Sequence, residues 1–272
     1  MNSWRRVTPM PRVEIAGTKL HYEESGKGDP IILVHGLGGT IFDWVMQIPF
    51  FSKTYRVLAV EMRDHGKSDK WSGSYDIKMF SEDLAQFAGK LGIQKAVFFG
   101  LSMGGMIVMQ FALDHPNMVE ALVLADTAPS LFEDSIQTAL EMASMSQKMT
   151  GEELAMATMS YLFTPEFIKN QPAIIQQMIK ISDARDPSST FRAAQGLATF
   201  NIKKRLKEIK IPTLIANGED DQVVPLSAAR YLEKNIKGAK LIVIPKGRHM
   251  SIIEKADQFN AAVLDFLKQT KK

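Results

Sequence analysis

The stretch Gly100-Leu101-Ser102-Met103-Gly104-Gly105 sets a serine between glycines, after the apolar run "KAVFF" and before the apolar helical stretch "MIVMQFALDH". So sharp a passage from strand to helix holds the serine in an unfavourable backbone conformation, and bulk at the flanking positions would collide with the neighbouring strand and helix. Glycine at 100 and 104 removes that clash. The turn lifts the hydroxyl above the sheet and aims a helix N-terminus at any charge that develops beside it. This is an arrangement for nucleophilic attack on a carbonyl. The competing reading makes Ser102 a plain helix cap.

A serine hydroxyl is a poor nucleophile near neutral pH, so it requires a base, and the base requires an orienting acid. Of the five histidines, His249 follows the last strand in "KLIVIPKGRHMSIIE". Asp221 follows the strand before it in "PTLIANGEDDQVVP", with Glu219 and Asp220 as neighbouring acids. Both positions leave the carboxyl ends of strands, the edge where open α/β sheets build their sites, and the chain order is Ser, Asp, His.

The elements that must position these residues are legible in the hydrophobic pattern. The runs "IILVHG", "YRVLAVEM", "KAVFFG", "ALVLAD", "PTLIANG" and "KLIVIP" are unbroken and apolar, as strands buried on both faces of a parallel sheet require. The opening pair "RVEIAG" and "TKLHYEE" alternates about a Gly17 turn and predicts an antiparallel edge hairpin. In "SYDIKMFSEDLAQFAGKLGI", Ile77, Phe80, Leu84, Phe87 and Leu91 form one helical stripe that packs on the sheet. From Thr127 to Ile211 the rhythm breaks into helical patterns divided by Pro165, Pro172 and Pro187. The expectation is an α/β core over residues 1–126 and 212–272, with a helical cap over 127–211 inserted after the sixth strand.

Composition narrows the function classes. The 272 residues are 45% hydrophobic and 23% charged, enough for one large core, and the formal charge of +3 is spread thinly. Nucleic acid is therefore not an expected partner. No window has the apolar length of a membrane span or a signal peptide, which predicts a cytoplasmic protein without membrane contact. With no cysteine, thiol nucleophiles, disulfides and cysteine-held metals are excluded.

On these motifs the chain resembles the α/β-hydrolases over nearly its whole length, and within them small bacterial carboxylesterases and 3-oxoadipate enol-lactonases, whose elbow also reads Gly-Leu-Ser-Met-Gly-Gly. The resemblance implies a mostly parallel eight-stranded sheet with helices on both faces. It maps the acid, the fourth residue of Gly-x-x-Asp-x-x-x-Pro, onto Asp221. It also makes "HGLGGT" an oxyanion loop whose donors are the amides of Leu37 and Met103, each able to contribute roughly 3 kcal/mol, with His35 as a prop for the loop. "EMRDHGKSD" resembles the family's Arg-Gly-His-Gly-x-Ser loop, with Asp64 where glycine is usual. Arg63, His65 and Ser68 are expected to be scaffolding, as are His21 and His115. Asp126, at the end of "ALVLA", is expected to cap the residues after it.

The cap should cover Ser102 and set substrate choice. Six methionines between Met142 and Met178 suit an adaptable apolar pocket, although most are expected in ordinary helix core. Trp44, Leu131, Phe132, Met142, Leu162 and Phe163 are the candidate acyl or alcohol contacts. Arg185 and Arg192, in "DARDPSSTFRAA", are the cations that could bind a substrate carboxylate. Asp183 and Asp186 flank Arg185 and predict a surface ion pair, which favours a neutral ester. The leading expectation is thus a serine carboxylesterase, monomeric or homodimeric, with catalytic Ser102, Asp221 and His249, acting on a small-molecule ester without cofactor or metal. The alternatives are an enol-lactonase-like lactone hydrolase, a carbon–carbon bond hydrolase of ring-cleavage products, a cofactor-free perhydrolase or haloperoxidase, and a non-catalytic receptor on the same fold. Epoxide hydrolases and haloalkane dehalogenases carry aspartate where this chain has Ser102.

Overall fold

A computed structural model describes residues 11–131, 144–145 and 147–270. Its centre is an eight-stranded sheet in the order β1-β2-β4-β3-β5-β6-β7-β8. The strands are β1 (Arg12–Ile15), β2 (Thr18–Ser25), β3 (Pro30–Val34), β4 (Arg56–Val60), β5 (Ala96–Leu101), β6 (Val119–Ala125), β7 (Thr213–Gly218) and β8 (Lys240–Ile244). The β1–β2 and β2–β4 pairs are antiparallel, and every pairing from β4 to β8 is parallel.

This split reflects which faces are covered. Along β1, exposed Arg12 and Glu14 alternate with buried Val13 and Ile15, so one face of the edge is wet. Every residue of β5 is buried. Phe98 packs on Phe111, 4.6 Å between ring centroids, while Phe99 on the opposite face meets Phe51 at 5.3 Å and Trp44 at 6.2 Å. Apolar runs without alternation are what such a two-sided strand needs.

The helix Ile77–Lys90 begins where the Asp76 carboxylate accepts the Met79 amide at 2.6 Å. It buries Ile77, Phe80, Leu84 and Phe87, with Leu91 partly buried at its C-cap. Between β6 and β7, the described residues form the helices Gly151–Leu162, Pro165–Asn170, Pro172–Asp183 and Pro187–Ala198. Three of them begin at a proline, whose missing N–H costs nothing in a first turn. Among the described residues, no helix is long and apolar enough to cross a membrane. No group of three or more histidines and acids among them could hold a metal ion.

Candidate active site

Ser102 stands between β5 and the helix Met103–Asp114 with φ 52° and ψ −115°. A positive φ in a residue with a Cβ is strained, and the surroundings hold it there. The Ser102 amide donates to the Ala125 carbonyl at 2.9 Å, and the Thr127 hydroxyl donates to the Ser102 carbonyl at 2.6 Å. A Cβ on Gly104 would lie 2.1 Å from the Val34 carbonyl oxygen of β3, and one on Gly100 would lie 2.4 Å from the Gly104 carbonyl oxygen. The glycines therefore let the helix press against the sheet. Although Ser102 occupies the N-cap position, its side chain makes no cap hydrogen bond. Its hydroxyl is not spent on the helix.

His249 Nδ1 lies 2.9 Å from Asp221 Oδ2. The other oxygen of that carboxylate accepts the amides of Val223 at 2.8 Å and Val224 at 2.9 Å. Asp221 is buried, whereas Glu219 and Asp220 are exposed, so of the three neighbouring acids this is the one turned to the histidine. Burial alone would depress the His249 pKa, but the Asp221 charge and hydrogen bond, aided by Asp126 and Asp43, hold it above the ordinary histidine value. The loop carrying His249 is tied to the helical insertion: the Met250 amide donates to the Leu162 carbonyl at 3.0 Å, and the Arg248 guanidinium donates to the Ser160 carbonyl.

The loop after β3 is built around His35 and Asp43. The Met62 amide donates to His35 Nε2 at 3.0 Å, so Nδ1 carries the proton and donates to the Gly36 carbonyl at 2.7 Å. Burial, with His65 nearby, pulls the His35 pKa down to about 3, which keeps this tautomer neutral. Asp43 Oδ2 accepts the Gly36 amide at 3.1 Å. Burial pushes its pKa up to about 6. Sequence reasoning passed over Asp43, which lies in "IFDW" without any distinctive spacing.

The second loop is scaffolding of a definite kind. Arg63 and Asp83 form a buried bidentate pair with both contacts at 2.5 Å. The Ser68 hydroxyl donates to the Glu61 carbonyl at 2.6 Å, and His65 Nδ1 lies 3.0 Å from the Arg63 carbonyl. Asp64 does adopt the left-handed region, with φ 65°. Tyr75 donates a hydrogen bond to its carboxylate and Arg192 pairs with it at 2.6 Å, partners a glycine could not have. His21 Nδ1 lies near the Pro11 carbonyl, and His115 pairs with Glu82.

Ser102, Met103, His249, Leu37 and Asp43 line one cleft of about 190 Å³. Leu131 and Leu162 line it as well, together with Leu154, Met159 and Met178. Trp44 and Phe163 do not. Both are fully enclosed, Trp44 against Phe99 beneath the sheet and Phe163 stacked on Phe167 at 4.8 Å, because rings of that size serve best where every face is covered. Phe132 and Met142 lie outside the described residues. Asp126 does not cap the residues after it. With φ 46°, it accepts the Gly218 amide at 2.8 Å and the Ser251 hydroxyl at 2.7 Å, joining the strand before Asp221 to the helix after His249.

Arg185 also departs from expectation. It makes no ion pair with any described residue: it lines the cleft, with its guanidinium beside Gly38. Asp186 is committed elsewhere, accepting the Ser188 amide at 3.0 Å to cap the helix Pro187–Ala198, and Asp183 is exposed.

Comparison with known proteins agrees with this architecture. The chain is 27% identical over 252 residues to 3-oxoadipate enol-lactonase 2 of Acinetobacter baylyi, covering 92% of this chain and 93% of that one. It is 28% identical over 268 residues to a 2-hydroxy-6-oxononadienedioate/2-hydroxy-6-oxononatrienedioate hydrolase of Comamonas testosteroni, covering 93% and 92% respectively. The crystal structure of the enol-lactonase from Burkholderia xenovorans LB400 superposes with a TM-score of 0.90 at 28% identity, over 95% of this chain and 100% of that one. Residues 29–256 match the model of the alpha/beta hydrolase fold, and the chain belongs to that family.

Proposed function

We propose that this hydrolase is a serine enzyme that cleaves carboxylic esters, cyclic esters included, through an acyl-enzyme. The observation that carries the reading is the pairing of His249 Nδ1 with Asp221 in the cleft where the strained Ser102 leaves its hydroxyl uncommitted to the helix. Asp221 occupies Nδ1, so Nε2 is the ring nitrogen left to take the serine proton. Ser102 Oγ forms a bond to the ester carbonyl carbon as its proton passes to His249. The carbonyl oxygen becomes an oxyanion beside the Leu37 and Met103 amides. The tetrahedral adduct then expels the alcohol, which takes the proton back from His249. Water repeats the sequence on the acyl-enzyme and releases the acid. Residues 127–211 act as the cap that shapes the acyl site, held to the His249 loop through Met250 and Arg248.

The neutral ester expected from sequence loses its basis, since the ion pair on which it rested is not formed. The enol-lactonase named among the relatives makes a lactone the second substrate to try. Both are tested together by labelling with a fluorophosphonate and by hydrolysis of p-nitrophenyl esters and simple lactones. Labelling of wild type that is lost in Ser102→Ala, with ester or lactone turnover falling to background in the same variant, is the expected result. A folded wild type that neither reacts with the probe nor hydrolyses any of these compounds refutes the mechanism.

A further inference from the structure

We propose that Arg185 and Thr190 form a carboxylate-binding subsite in the cleft of Ser102, so that the natural substrate is an ester or lactone carrying a second, ionised carboxyl group. This rests on the serine hydrolase reading for the fate of the ligand, but not for the binding itself. The two residues bracket the start of the helix Pro187–Ala198, and both line the cleft. Arg185 Nε is cut off from solvent and has no hydrogen-bond partner, and the same holds for Thr190 Oγ1. Neither side chain has an ion pair or hydrogen bond with any described residue.

A guanidinium whose Nε is buried without an acceptor is costly, because that donor gives up water for nothing in return. Arg192 Nε and Arg248 Nε are orphaned in the same way, but the other guanidinium nitrogens of those two residues are bonded, to Ser188 and Asp64 and to the Ser160 and Phe163 carbonyls. Arg63 is buried with Asp83, and Arg192, the other cation in the same sequence stretch, is paired with Asp64 and lies over the Tyr75 ring. Arg185 alone of these three is unpaired. Burial drags its pKa down against the opposing charge of Asp43, whose Oδ2 already serves the Gly36 amide. A planar fork of donors and a neighbouring hydroxyl suit a carboxylate, which accepts at both oxygens.

Position also selects the kind of anion. A Cβ on Gly38 would come 2.7 Å from Arg185 Nη1 and 3.3 Å from its Nε, so the guanidinium lies across the Gly38 backbone. Gly38, with φ 65°, adjoins Leu37 of the oxyanion loop. The carboxylate is therefore held on the oxyanion-loop side of the cleft. Leu154, Leu162 and Met178 on the cap helices leave the remaining wall to an apolar chain.

Ethyl hydrogen succinate, glutarate and adipate, followed by ethanol release, are compared with ethyl esters in which a neutral isopropyl group replaces the carboxylate. Wild type is expected to favour at least one hemi-ester over its neutral counterpart by about tenfold or more in kcat/KM. Arg185→Gln should reduce that ratio by about tenfold or more, Arg185→Lys should retain part of it, and the nearly isosteric Thr190→Val should lower it severalfold. A wild-type ratio at or below one for all three lengths overturns the subsite, as does a ratio unchanged in Arg185→Gln. Calorimetric binding of the same hemi-esters to Ser102→Ala separates the two readings. Binding that is lost on adding Arg185→Gln, in a protein whose wild type hydrolyses nothing, keeps the subsite and refutes the hydrolase mechanism. Turnover of neutral esters without any hemi-ester preference or binding does the reverse.

Discussion

The Asp221 carboxylate faces two ways, with Oδ2 2.9 Å from His249 Nδ1 and Oδ1 accepting the amides of Val223 and Val224. The loop that carries Asp221 thus also fixes the orientation of the His249 ring. Asp126, bonded to Gly218 at 2.8 Å and Ser251 at 2.7 Å, closes the same frame from beneath. Chemistry and scaffold meet in two buried acids whose surroundings divide their roles.

One consequence is a pH profile. In the proposed mechanism His249 must be neutral to accept the serine proton, and its pKa is held above the ordinary 6.5 by Asp221 against the opposing effect of burial. Ester hydrolysis should therefore rise with pH through an inflection above that value. Asp221→Asn should move the inflection down and lower kcat by about 10⁴-fold, since the amide favours the wrong tautomer. Initial rates across the pH range, for both proteins, check this; an inflection at the same pH in both would separate Asp221 from the base.

Two glycines should respond oppositely to alanine. In Gly104→Ala the new methyl meets the Val34 carbonyl oxygen at 2.1 Å, backbone against backbone, so the elbow helix must lift from β3. The expected loss is about 3 kcal/mol or more, with loss of activity. Gly89, inside the helix Ile77–Lys90, has nothing within 4 Å of its would-be Cβ, and Gly89→Ala should stabilise by about 0.5–1 kcal/mol. Urea unfolding of the two variants beside wild type measures both signs.

Asp126 carries a stability signal with an unusual direction. Burial, reinforced by the Asp221 charge, raises its pKa above the ordinary 3.8. Because the folded value is the higher one, the contribution is fully present below 3.8 and is lost as pH rises toward the folded value. Asp126→Asn can still accept from Gly218 and can donate to Ser251 without ionising. Its stability relative to wild type should therefore climb between about pH 4 and about pH 7, by no more than ~1.4 kcal/mol per pH unit. Chemical denaturation at several pH values reads the difference, and a flat or falling one would place the Asp126 pKa at or below its ordinary range.

Much of this is legible in the sequence. Apolar runs such as "KAVFFG" mark two-sided strands, because a residue buried on either face must be apolar wherever it points. The elbow is legible for a similar reason, since glycine at 100 and 104 answers a local steric demand. Contacts across the fold leave no such trace. Nothing near Arg185 in sequence tells that Asp186 is bound to the helix start at Ser188, leaving the guanidinium to turn toward Gly38. Trp44 and Phe163 lie in the core and not along the cleft, since hydrophobicity predicts burial and is silent on which cavity or core receives the ring. Asp43 escaped notice because its partner, the Gly36 amide, is a backbone group.

The Arg63–Asp83 pair tests how the loop after β4 is anchored. Both side chains are almost wholly buried, at 5% and 3% exposure, and both contacts are 2.5 Å, so each charge depends on the other for solvation. Arg63 also lies 4.7 Å from the Trp71 ring, which gives the guanidinium a second apolar support. Removing only the carboxylate in Asp83→Ala leaves a buried cation without a partner and should cost about 3–5 kcal/mol. Replacing both, as Arg63→Met with Asp83→Leu, removes the charges together and should recover most of that loss. Urea midpoints of the single and double variants decide between these terms. A double variant as unstable as the single one would show that the bidentate geometry itself, and not the solvation of stranded charge, holds this loop against the helix Ile77–Lys90.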